Sequence, residues 1–267
     1  MKFVVPIKQI LDPQGITIRR DKERIFINRK EYIVDPASKA AIEAALRLRD
    51  SLEETNTDDG TPEIIAISMG EASAEDGLRE ALAMGCGAAY LLTDEAFRNP
   101  DVTVTARVLA AAIAKLGGCD LVICGSQSGD TGAGQIGPRL AQLLGYAQVD
   151  GAYALAAGRS SLRVTRRWRG GYAAVETSLP VVVAVAAEAF KPRYPHGARI
   201  INAYRKMDVA VWDAADLGLD EAALTPLLVL RGETFPPPLE LGEVYRGEPA
   251  SVAQDAIATL KLQRLIK

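Results

Sequence analysis

The sequence predicts an α/β protein built on a doubly wound parallel sheet. Apolar runs such as EIIAISM and DLVICG carry no polar alternation, which is typical of strands buried on both faces. Segments between these runs place apolar residues at helical spacing, for example Leu78, Ala81 and Leu82. Buried strands that alternate with amphipathic helices indicate a parallel sheet covered by helices on both sides.

The elements of the first half follow this pattern in order. FVVPIKQI predicts a buried strand, and ITIRRDKERIFI predicts a hairpin at the edge of the sheet. In DPASKAAIEAALRLRD, Asp35 predicts a helix N-cap and Pro36 the first helical position. The pattern then predicts a strand at 63–69, a helix from about 73 to 84, the strand AAYLLT, a helix from 101 to 116 and the strand DLVICG.

The pattern changes after Gly151. LRVTRRWRGGYAAVETS predicts an exposed strand that turns at Gly170-Gly171 and returns, and 181–186 predicts a last buried strand. We therefore expect one globular α/β domain at 1–190, and the motifs described below predict that it binds an adenine nucleotide.

Residues 191–267 are expected to form an extended arm. GETFPPPLEL cannot hold regular structure because each proline lacks a backbone donor. The final segment, SVAQDAIATLKLQRLIK, predicts a helix that begins with a capping box of Ser251 and Gln254. Four apolar residues of this helix predict a surface that packs on a partner subunit, with packing on the chain's own core as the alternative: Leu260, Leu262, Leu265 and Ile266.

Composition and charge exclude several classes of protein. The 267 residues carry 31 Lys and Arg against 34 Asp and Glu, a net charge of −3, which does not indicate a nucleic-acid partner. No segment approaches the roughly 18 uninterrupted apolar residues of a membrane span, and MKFVVPIKQI lacks the cleavage site of a signal peptide. We expect a cytoplasmic protein with no membrane span.

The sequence offers no catalytic or metal-binding residues. Cys86, Cys119 and Cys124 lack CxxC spacing, and His196 is the single histidine. We expect the thiols to be buried packing residues and His196 to be a surface residue. The absence of GxSxG, of a usable Ser/His pair and of HExxH excludes the common hydrolytic chemistries.

The stretch GSQSGDTGAGQIG, which follows DLVICG and leads into a helix, is the strongest candidate for a binding site. Ligands of parallel sheets bind beyond the carboxyl ends of the strands. Glycines let successive amides turn toward one anion, and a helix N-terminus adds partial positive charge, so phosphate is the natural ligand. The stretch is not GxxxxGK[ST], which favours binding of a nucleotide over its hydrolysis. A tight structural turn is the alternative.

Three further positions are expected at the same edge of the sheet. Pro6 ends the first strand, Met69 ends the strand AISM, and Asp35 begins a helix, so the three could form walls for an adenosine. Hydroxyls of Ser126, Ser128 and Thr131 could donate to phosphate, whereas Asp130 is expected to cap the turn or to hold a ribose. Ordinary turns are the alternative here too.

Several motifs together resemble the β subunits of electron transfer flavoproteins, and they cover nearly the whole chain. The motifs are VVPIKQILD, VDPASKAAIEAALRL, AISMG followed by LREALAMGCGAAYLL, GSQSGDTGAGQIG, VTRRWRGGYAAVETSLPVVVAV and KPRYPHGARIINAYRKM. The resemblance implies a fold similar to adenine nucleotide alpha hydrolases and a heterodimer whose alpha subunit makes most contacts to a redox-active FAD. It also implies that electrons pass from dehydrogenases to a quinone reductase or a similar acceptor.

The resemblance further implies an adenine nucleotide in the β subunit. This nucleotide is AMP in typical members and a second FAD in bifurcating members, and GQIGP leans slightly toward the latter without deciding between them. Asp35 stands where the family usually has Asn, so we expect its carboxylate to face ribose or adenine. By matching positions, the nucleotide would contact Pro6, Asp35, Met69, Gln127, Ser128, Asp130, Thr131, Gly132, Ala133, Gly134, Gln135, Ile136 and Gly137.

The segment after the motif KPRY resembles the loop by which β subunits dock onto dehydrogenases. The corresponding residues are Pro192, Arg193, Tyr194, Gly197 and Ile200. Gly197 departs from the family pattern, which commonly has an apolar anchor there, often Leu, and this puts the usual acyl-CoA dehydrogenase partner in doubt.

Two other hypotheses stay open. A stand-alone adenine-nucleotide-binding regulatory protein of the universal-stress type would share the fold, although such chains are usually shorter and lack a proline-rich arm. An ATP-pyrophosphatase-like enzyme would need an SGGxDS-type loop after the first strand, where this chain has VVPIKQ. Arg166, Arg167 and Arg169 form a basic hairpin that is either a solvated face or a contact for a partner protein.

Overall fold

A computed structural model of the chain describes residues 1–54, 60–158, 160–229, 231–232, 234–237 and 242–266. The chain divides into two compact units, Met1–Leu230 and Arg231–Lys267. The first unit therefore continues beyond residue 190, where the sequence placed the boundary, because it includes a helix at Gly197–Arg205 and a strand at Ala210–Trp212. Part of the proline-rich stretch, 238–241, lies outside the described residues.

The helices and strands have the following bounds. The strands are β1 (Lys2–Ile7), β2 (Gln9–Leu11), β3 (Ile16–Arg19), β4 (Arg24–Ile27), β5 (Tyr32–Val34), β6 (Glu63–Met69), β7 (Ala88–Leu92), β8 (Leu121–Gly125), β9 (Ala147–Ala157), β10 (Ser161–Trp168), β11 (Gly171–Ser178), β12 (Val181–Val185) and β13 (Ala210–Trp212). The helices are α1 (Pro36–Glu54), α2 (Glu75–Met84), α3 (Val102–Lys115), α4 (Ile136–Leu144), α5 (Gly197–Arg205), α6 (Glu221–Leu224) and α7 (Pro249–Leu262).

The main sheet has the strand order β11-β10-β9-β12-β8-β1-β6-β7-β13. In this spatial order, every neighbouring pair from β9 through β12, β8, β1, β6 and β7 to β13 is parallel. Strands β10 and β11 extend the sheet beyond β9 and pair in antiparallel fashion. Because β1 lies between β8 and β6, the direction of winding reverses between β1 and β8. This arrangement confirms the predicted doubly wound α/β fold, and it places the topological switch point beside the glycine-rich stretch.

Two packed layers of helices explain why the strands have no polar alternation. Phe3, Val5 and Ile7 of β1 belong to the core under α1 and α2, whereas Val4 belongs to the core under α3 and α4. Successive side chains of a strand point to opposite faces, so both faces of β1 must be apolar.

Some predicted elements differ from the structure. The sequence reading missed β9, whose alanine-rich sequence AQVDGAYALAA has low strand propensity, and it missed the three-residue β13. Strands β3 and β4 do form a hairpin, but among the described residues they pair with each other and not with the edge of the main sheet.

The helix termini confirm one predicted cap and correct another. Asp35 caps α1 through the amides of Ala37 and Ser38, as predicted. The cap of α7 is Glu248, whose carboxylate accepts from the amides of Ala250 and Ser251, so the predicted capping box at Ser251 and Gln254 is wrong. Leu265 and Ile266 follow the end of α7 and do not belong to it.

The free thiols mainly pack in the core. Cys86 and Cys124 are buried, as predicted, whereas Cys119 is only partly buried. Burial raises the pKa of each of these thiols to about 12, so none is a thiolate at neutral pH. In the described part of the chain, no helix has both the length and the apolar character needed to cross a membrane.

Candidate nucleotide site at the switch point

β1 and β8 stop pairing before their carboxyl ends, and we call the place between these strand ends the crevice. The two strands pair only at Phe3–Leu121 and Val4–Val122, although both continue toward their carboxyl ends. Pro6, which has no amide N–H with which to extend a ladder, lies in the part of β1 that no longer pairs with β8. The separation leaves room beyond the strand ends for the segment that follows β8.

Residues 126–135 form the loop between β8 and α4, which we call the glycine loop. Gly132 and Gly134 have φ angles of +60° and +64°, in the left-handed region that favours glycine. A Cβ built on Gly134 would lie 3.3 Å from the Ser126 carbonyl oxygen and 3.4 Å from Cγ of Gln127. The loop therefore needs glycine at this position, both for backbone conformation and for space.

Asp35 joins the glycine loop to the start of α1. Its Oδ2 accepts hydrogen bonds from the amides of Ala37 and Ser38, at 3.0 and 3.2 Å, and its Oδ1 accepts from the amide of Gly129 at 2.6 Å. The residue is 2% exposed. The expectation that Asp35 faces ribose or adenine is therefore wrong for its carboxylate, because both oxygens bind backbone amides and the side chain positions the loop.

Lys8, which follows β1, and Asp130 of the glycine loop form an ion pair. The Nζ atom of Lys8 lies 2.5 Å from Oδ2 of Asp130, and the two side chains are 45% and 38% exposed. Oδ1 of Asp130 also accepts from the amide of Thr131 at 2.7 Å, which agrees with its predicted role as a turn cap. Burial raises the pKa of Asp130, but hydrogen bonds from Lys8, Ser128 and the Thr131 amide outweigh this effect and hold that pKa below its usual range.

The crevice contains polar groups without protein partners. The Ser126 hydroxyl oxygen is buried and has no hydrogen-bond partner among the described residues. The N-cap of α4, Gln135, makes no side-chain capping bond, so the first amides of that helix lack the side-chain acceptor that Asp35 gives to α1. A buried hydroxyl donor and an uncapped helix N-terminus together fit an anionic ligand.

The structure brings most of the sequence-predicted site residues to this edge of the sheet. Pro6 is buried in β1, and Met69 ends β6, the neighbour of β1. Most residues of the glycine loop are exposed, whereas Gly137 is buried, and a Cβ built on it would lie 3.3 Å from Sγ of Cys124 and 3.4 Å from Cβ of Ala184. Gly137 therefore serves packing of α4 against the sheet. The exposed residues are Gln127, Asp130, Thr131, Gly132, Ala133 and Gln135, with Ser128, Gly134 and Ile136 partly buried.

Sequence reasoning missed Lys8, although a signal was present. Lys8 is the first residue after β1, the same strand-end position that led to the choice of Pro6. Its amide donates to Oγ of Ser38, which is 5% exposed, so the backbone at Lys8 is fixed on α1. Among the described residues, no cluster of His, Cys, Asp and Glu could hold a metal ion.

The predicted docking segment is fixed on α1 by Arg193. Glu43, whose side chain is 4% exposed, accepts from the backbone amide and Nε of Arg193 at 3.1 and 2.8 Å. The guanidinium also binds Asp50 at 2.8 Å. Burial raises the pKa of Glu43, but hydrogen bonds from Arg193 and Arg47 outweigh it and hold the pKa below its usual range. Arg193 therefore holds the segment and is not free to bind a partner.

The rest of this segment is open. Tyr194 is 90% exposed, and a Cβ added at Gly197 would meet no atom within 4 Å. His196 is exposed, as predicted, and its Nδ1 accepts from the Ala198 amide at 3.3 Å to cap α5. Nothing in the described residues occupies the space where the family's apolar anchor would lie.

The basic hairpin of β10 and β11 presents arginines together with aromatic rings. The guanidinium groups of Arg166 and Arg169 lie 5.3 and 5.5 Å from the ring of Trp168, and that of Arg167 lies 5.8 Å from the ring of Tyr153. Trp168 is 51% exposed. These contacts order the arginines on an open surface.

Comparisons with known proteins agree on one family. A model of the electron transfer flavoprotein domain matches residues 24–217. The chain is 34% identical to an electron transfer flavoprotein subunit beta of Thermoanaerobacterium thermosaccharolyticum, over 100% of both chains. It is 32% identical to the caffeyl-CoA reductase-Etf complex subunit CarD of Acetobacterium woodii, again over 100% of both. It is 31% identical to protein FixA of Azorhizobium caulinodans, over 97% of this chain and 99% of that one.

Proposed function

The chain belongs to the electron transfer flavoprotein family, where its role is electron transfer as a beta subunit, and we propose that its glycine loop binds an adenine nucleotide, AMP or a second FAD. We propose further that it forms a heterodimer with an alpha subunit and helps enclose the FAD held mainly there. Electrons would pass from dehydrogenases to a quinone reductase or a similar acceptor.

One observation carries the nucleotide proposal: at the topological switch point of a doubly wound sheet, a glycine loop has an unpartnered Ser126 hydroxyl and leads into a helix without a side-chain cap. The loop follows β8, beside the gap between β1 and β8, where such folds bind ligands. The phosphate would bind the uncapped amides of α4 and the Ser126 hydroxyl. Lys8 would add positive charge if the phosphate replaces Asp130 as its partner.

The residues of this chain provide binding and orientation. A flavin, when bound, supplies the redox chemistry that amino-acid side chains do not. Asp35 fixes the glycine loop, the glycines allow close approach of the backbone, and the flanking strands keep water from the base of the crevice. The relative CarD, named as a subunit of a caffeyl-CoA reductase-Etf complex, supports a function inside a larger redox assembly.

Replacing Gly134 with Val tests the placement of the nucleotide. The added side chain would clash with the Ser126 carbonyl and force a β-branched residue into left-handed backbone. We expect the purified heterodimer to lose most of the adenine nucleotide, AMP or FAD, that it contains beyond one FAD per heterodimer, measured by chromatography after denaturing extraction. The same measurement on the unmodified protein distinguishes AMP from a second FAD.

Gly145→Val is the matched control. Gly145 has a φ of +68° but no neighbour within 4 Å of an added Cβ, and it follows the far end of α4. It should cost a similar backbone strain of about 1–2 kcal/mol and leave the nucleotide content unchanged. Equal nucleotide content in both variants would contradict the proposed site. A colourless homodimer that binds ATP would instead favour the stand-alone regulatory protein.

A further inference from the structure

A second cleft lies away from the glycine loop. It has a volume of about 420 Å³ and is lined by residues of β2, β5, α2, α5 and the docking segment, and no residue of the glycine loop lines it. Its size falls in the range of specific binding clefts, roughly 300–1,000 Å³. The docking segment therefore lies beside a recess in the surface of this chain.

Aromatic rings form much of the wall of this cleft. Tyr32 and Tyr194 line it and are 47% and 90% exposed, so their rings are available to a ligand, whereas the ring of Tyr204 already has the guanidinium of Arg79 5.6 Å from its centroid. Ile200 adds an aliphatic surface. Tyrosine faces attract cations and pack well against aliphatic side-chain stems.

Asp76 gives the cleft an available negative charge. Its Oδ1 lies 3.5 Å from the Tyr204 hydroxyl, and no cation pairs with it among the residues that the structure describes. The other charged residues of the lining already have partners. Arg79 binds Glu75 and the carbonyls of Ala203 and Met207, and Glu80 binds Lys39 at 2.7 Å.

We propose that this cleft receives an arginine side chain from a redox partner protein, with the guanidinium stacked on Tyr32 or Tyr194 and hydrogen-bonded to Asp76. Arginine fits better than lysine because its planar group stacks on rings and binds a carboxylate through two parallel bonds. The inference rests on the proposed docking role of the adjacent segment. Gly197 has no side chain that could insert into a partner, so we assign recognition of the partner to the recess.

Peptide binding tests the recognition chemistry directly. The purified protein, with the subunit that co-purifies with it, is labelled at isoleucine methyl groups and titrated with the tripeptide acetyl-Leu-Arg-Leu-amide. We expect saturable shifts of the Ile33 and Ile200 methyl signals, which report on the cleft, with low-millimolar affinity. Acetyl-Leu-Gln-Leu-amide should produce no saturable shift, because it keeps the apolar residues and lacks the guanidinium.

Asp76→Asn and Glu221→Gln form a matched pair of variants. Both residues are exposed acids in the first turn of a helix, α2 and α6, but only Asp76 lines the cleft. We expect Asp76→Asn to weaken binding of the arginine peptide by about tenfold or more, as loss of a charge-assisted bond implies. Glu221→Gln should bind it as the unmodified protein does.

Three results would overturn the proposal. These are an absence of saturable shifts, equal binding of the glutamine peptide, and unchanged binding by Asp76→Asn. Agmatine bound as tightly as the arginine peptide would assign the cleft to a small cation and not to a protein. Flavin and nucleotide content are measured on the same samples. A flavin-bearing heterodimer that does not bind the peptide refutes this inference alone. A protein without flavin refutes the proposed function.

Discussion

Asp35 is a buried carboxylate that joins the glycine loop to the start of α1. It satisfies two of the free amides at the start of α1 and one amide of the glycine loop, which lies 94 residues later in the sequence. Loss of a helix cap costs about 1 kcal/mol, and the bond to Gly129 adds a geometric constraint on the loop.

We predict that Asp35→Ala lowers the free energy of unfolding by about 1–2 kcal/mol and also lowers nucleotide content, because the loop loses its fixed point. Asp101→Ala is the control, since Asp101 caps α3 and also holds the amides of Leu227 and Leu228. It should lose comparable stability and keep its nucleotide. Urea unfolding and extracted nucleotide measure the two effects, and equal nucleotide loss in both variants would argue against a positioning role for Asp35.

Glu43 predicts a specific dependence of stability on pH. Its pKa is lowered in the folded protein. Its contribution to the free energy of unfolding is therefore complete above the unfolded-state pKa of about 4.3, and this contribution is lost as the pH falls through the lower pKa of the folded state. We predict that Glu43→Gln is less stable than the unmodified protein by about 1–3 kcal/mol at pH 7 and that this difference shrinks below pH 4. Unfolding followed by tryptophan fluorescence at several pH values measures it, and a difference that grows on acidification would contradict the assignment.

At the scale of elements, the docking segment and α5 form a fixed unit on α1 and α2. Arg193 binds Glu43 and Asp50, and Arg79 of α2 binds the carbonyls of Ala203 and Met207 at 2.6 and 2.8 Å. The open space at Gly197 therefore lies on a well-supported scaffold.

We predict that Gly197→Leu leaves the protein folded and stabilises it by up to about 1 kcal/mol, because a helical glycine is replaced without a clash. It should also increase binding to an acyl-CoA dehydrogenase by restoring an apolar anchor. Thermal unfolding and a pull-down with purified enzyme measure both effects. Ala198→Leu, at the adjacent exposed position, is the control, and an equal gain in binding there would show a non-specific apolar effect.

The elements that sequence reasoning found are those whose signals are local. Asp35-Pro36 marks the start of α1, and the continuous apolar runs mark β1, β6, β8 and β12. β9 and β13 were missed because pairing with a neighbouring strand, and not intrinsic propensity, holds them in the sheet. The ion pairs of Lys8 with Asp130 and of Arg193 with Glu43 likewise depend on the order of the strands, which periodicity does not contain.

At the scale of the whole molecule, the second unit, Arg231–Lys267, presents apolar side chains on α7 and after it. Ile257, Leu260 and Leu262 are exposed, as are Leu265 and Ile266. Exposed apolar residues in this number are typical of a surface that another protein covers.

We predict that deleting 235–267 leaves the first unit folded, since all strands of the main sheet lie before residue 231, and abolishes assembly with the alpha subunit. Circular dichroism and size-exclusion chromatography with flavin absorbance measure the two outcomes. Replacement of Ile257 and Leu260 by Ser should weaken assembly without shortening the chain. A truncated protein that still forms the flavin-bearing heterodimer would disprove the role of the arm.

The pairing of β13 with β7 has a consequence for biosynthesis. β7 is complete at Leu92, but the strand that covers its outer edge is Ala210–Trp212. At ordinary rates of translation the intervening chain takes roughly ten seconds to synthesise. During that time one edge of the strand AAYLL has backbone amides and carbonyls without hydrogen-bond partners from a neighbouring strand. An unpaired strand edge can pair with another chain and promote aggregation. The ribosome-bound chain therefore exposes a strand edge that the folded protein covers with β13.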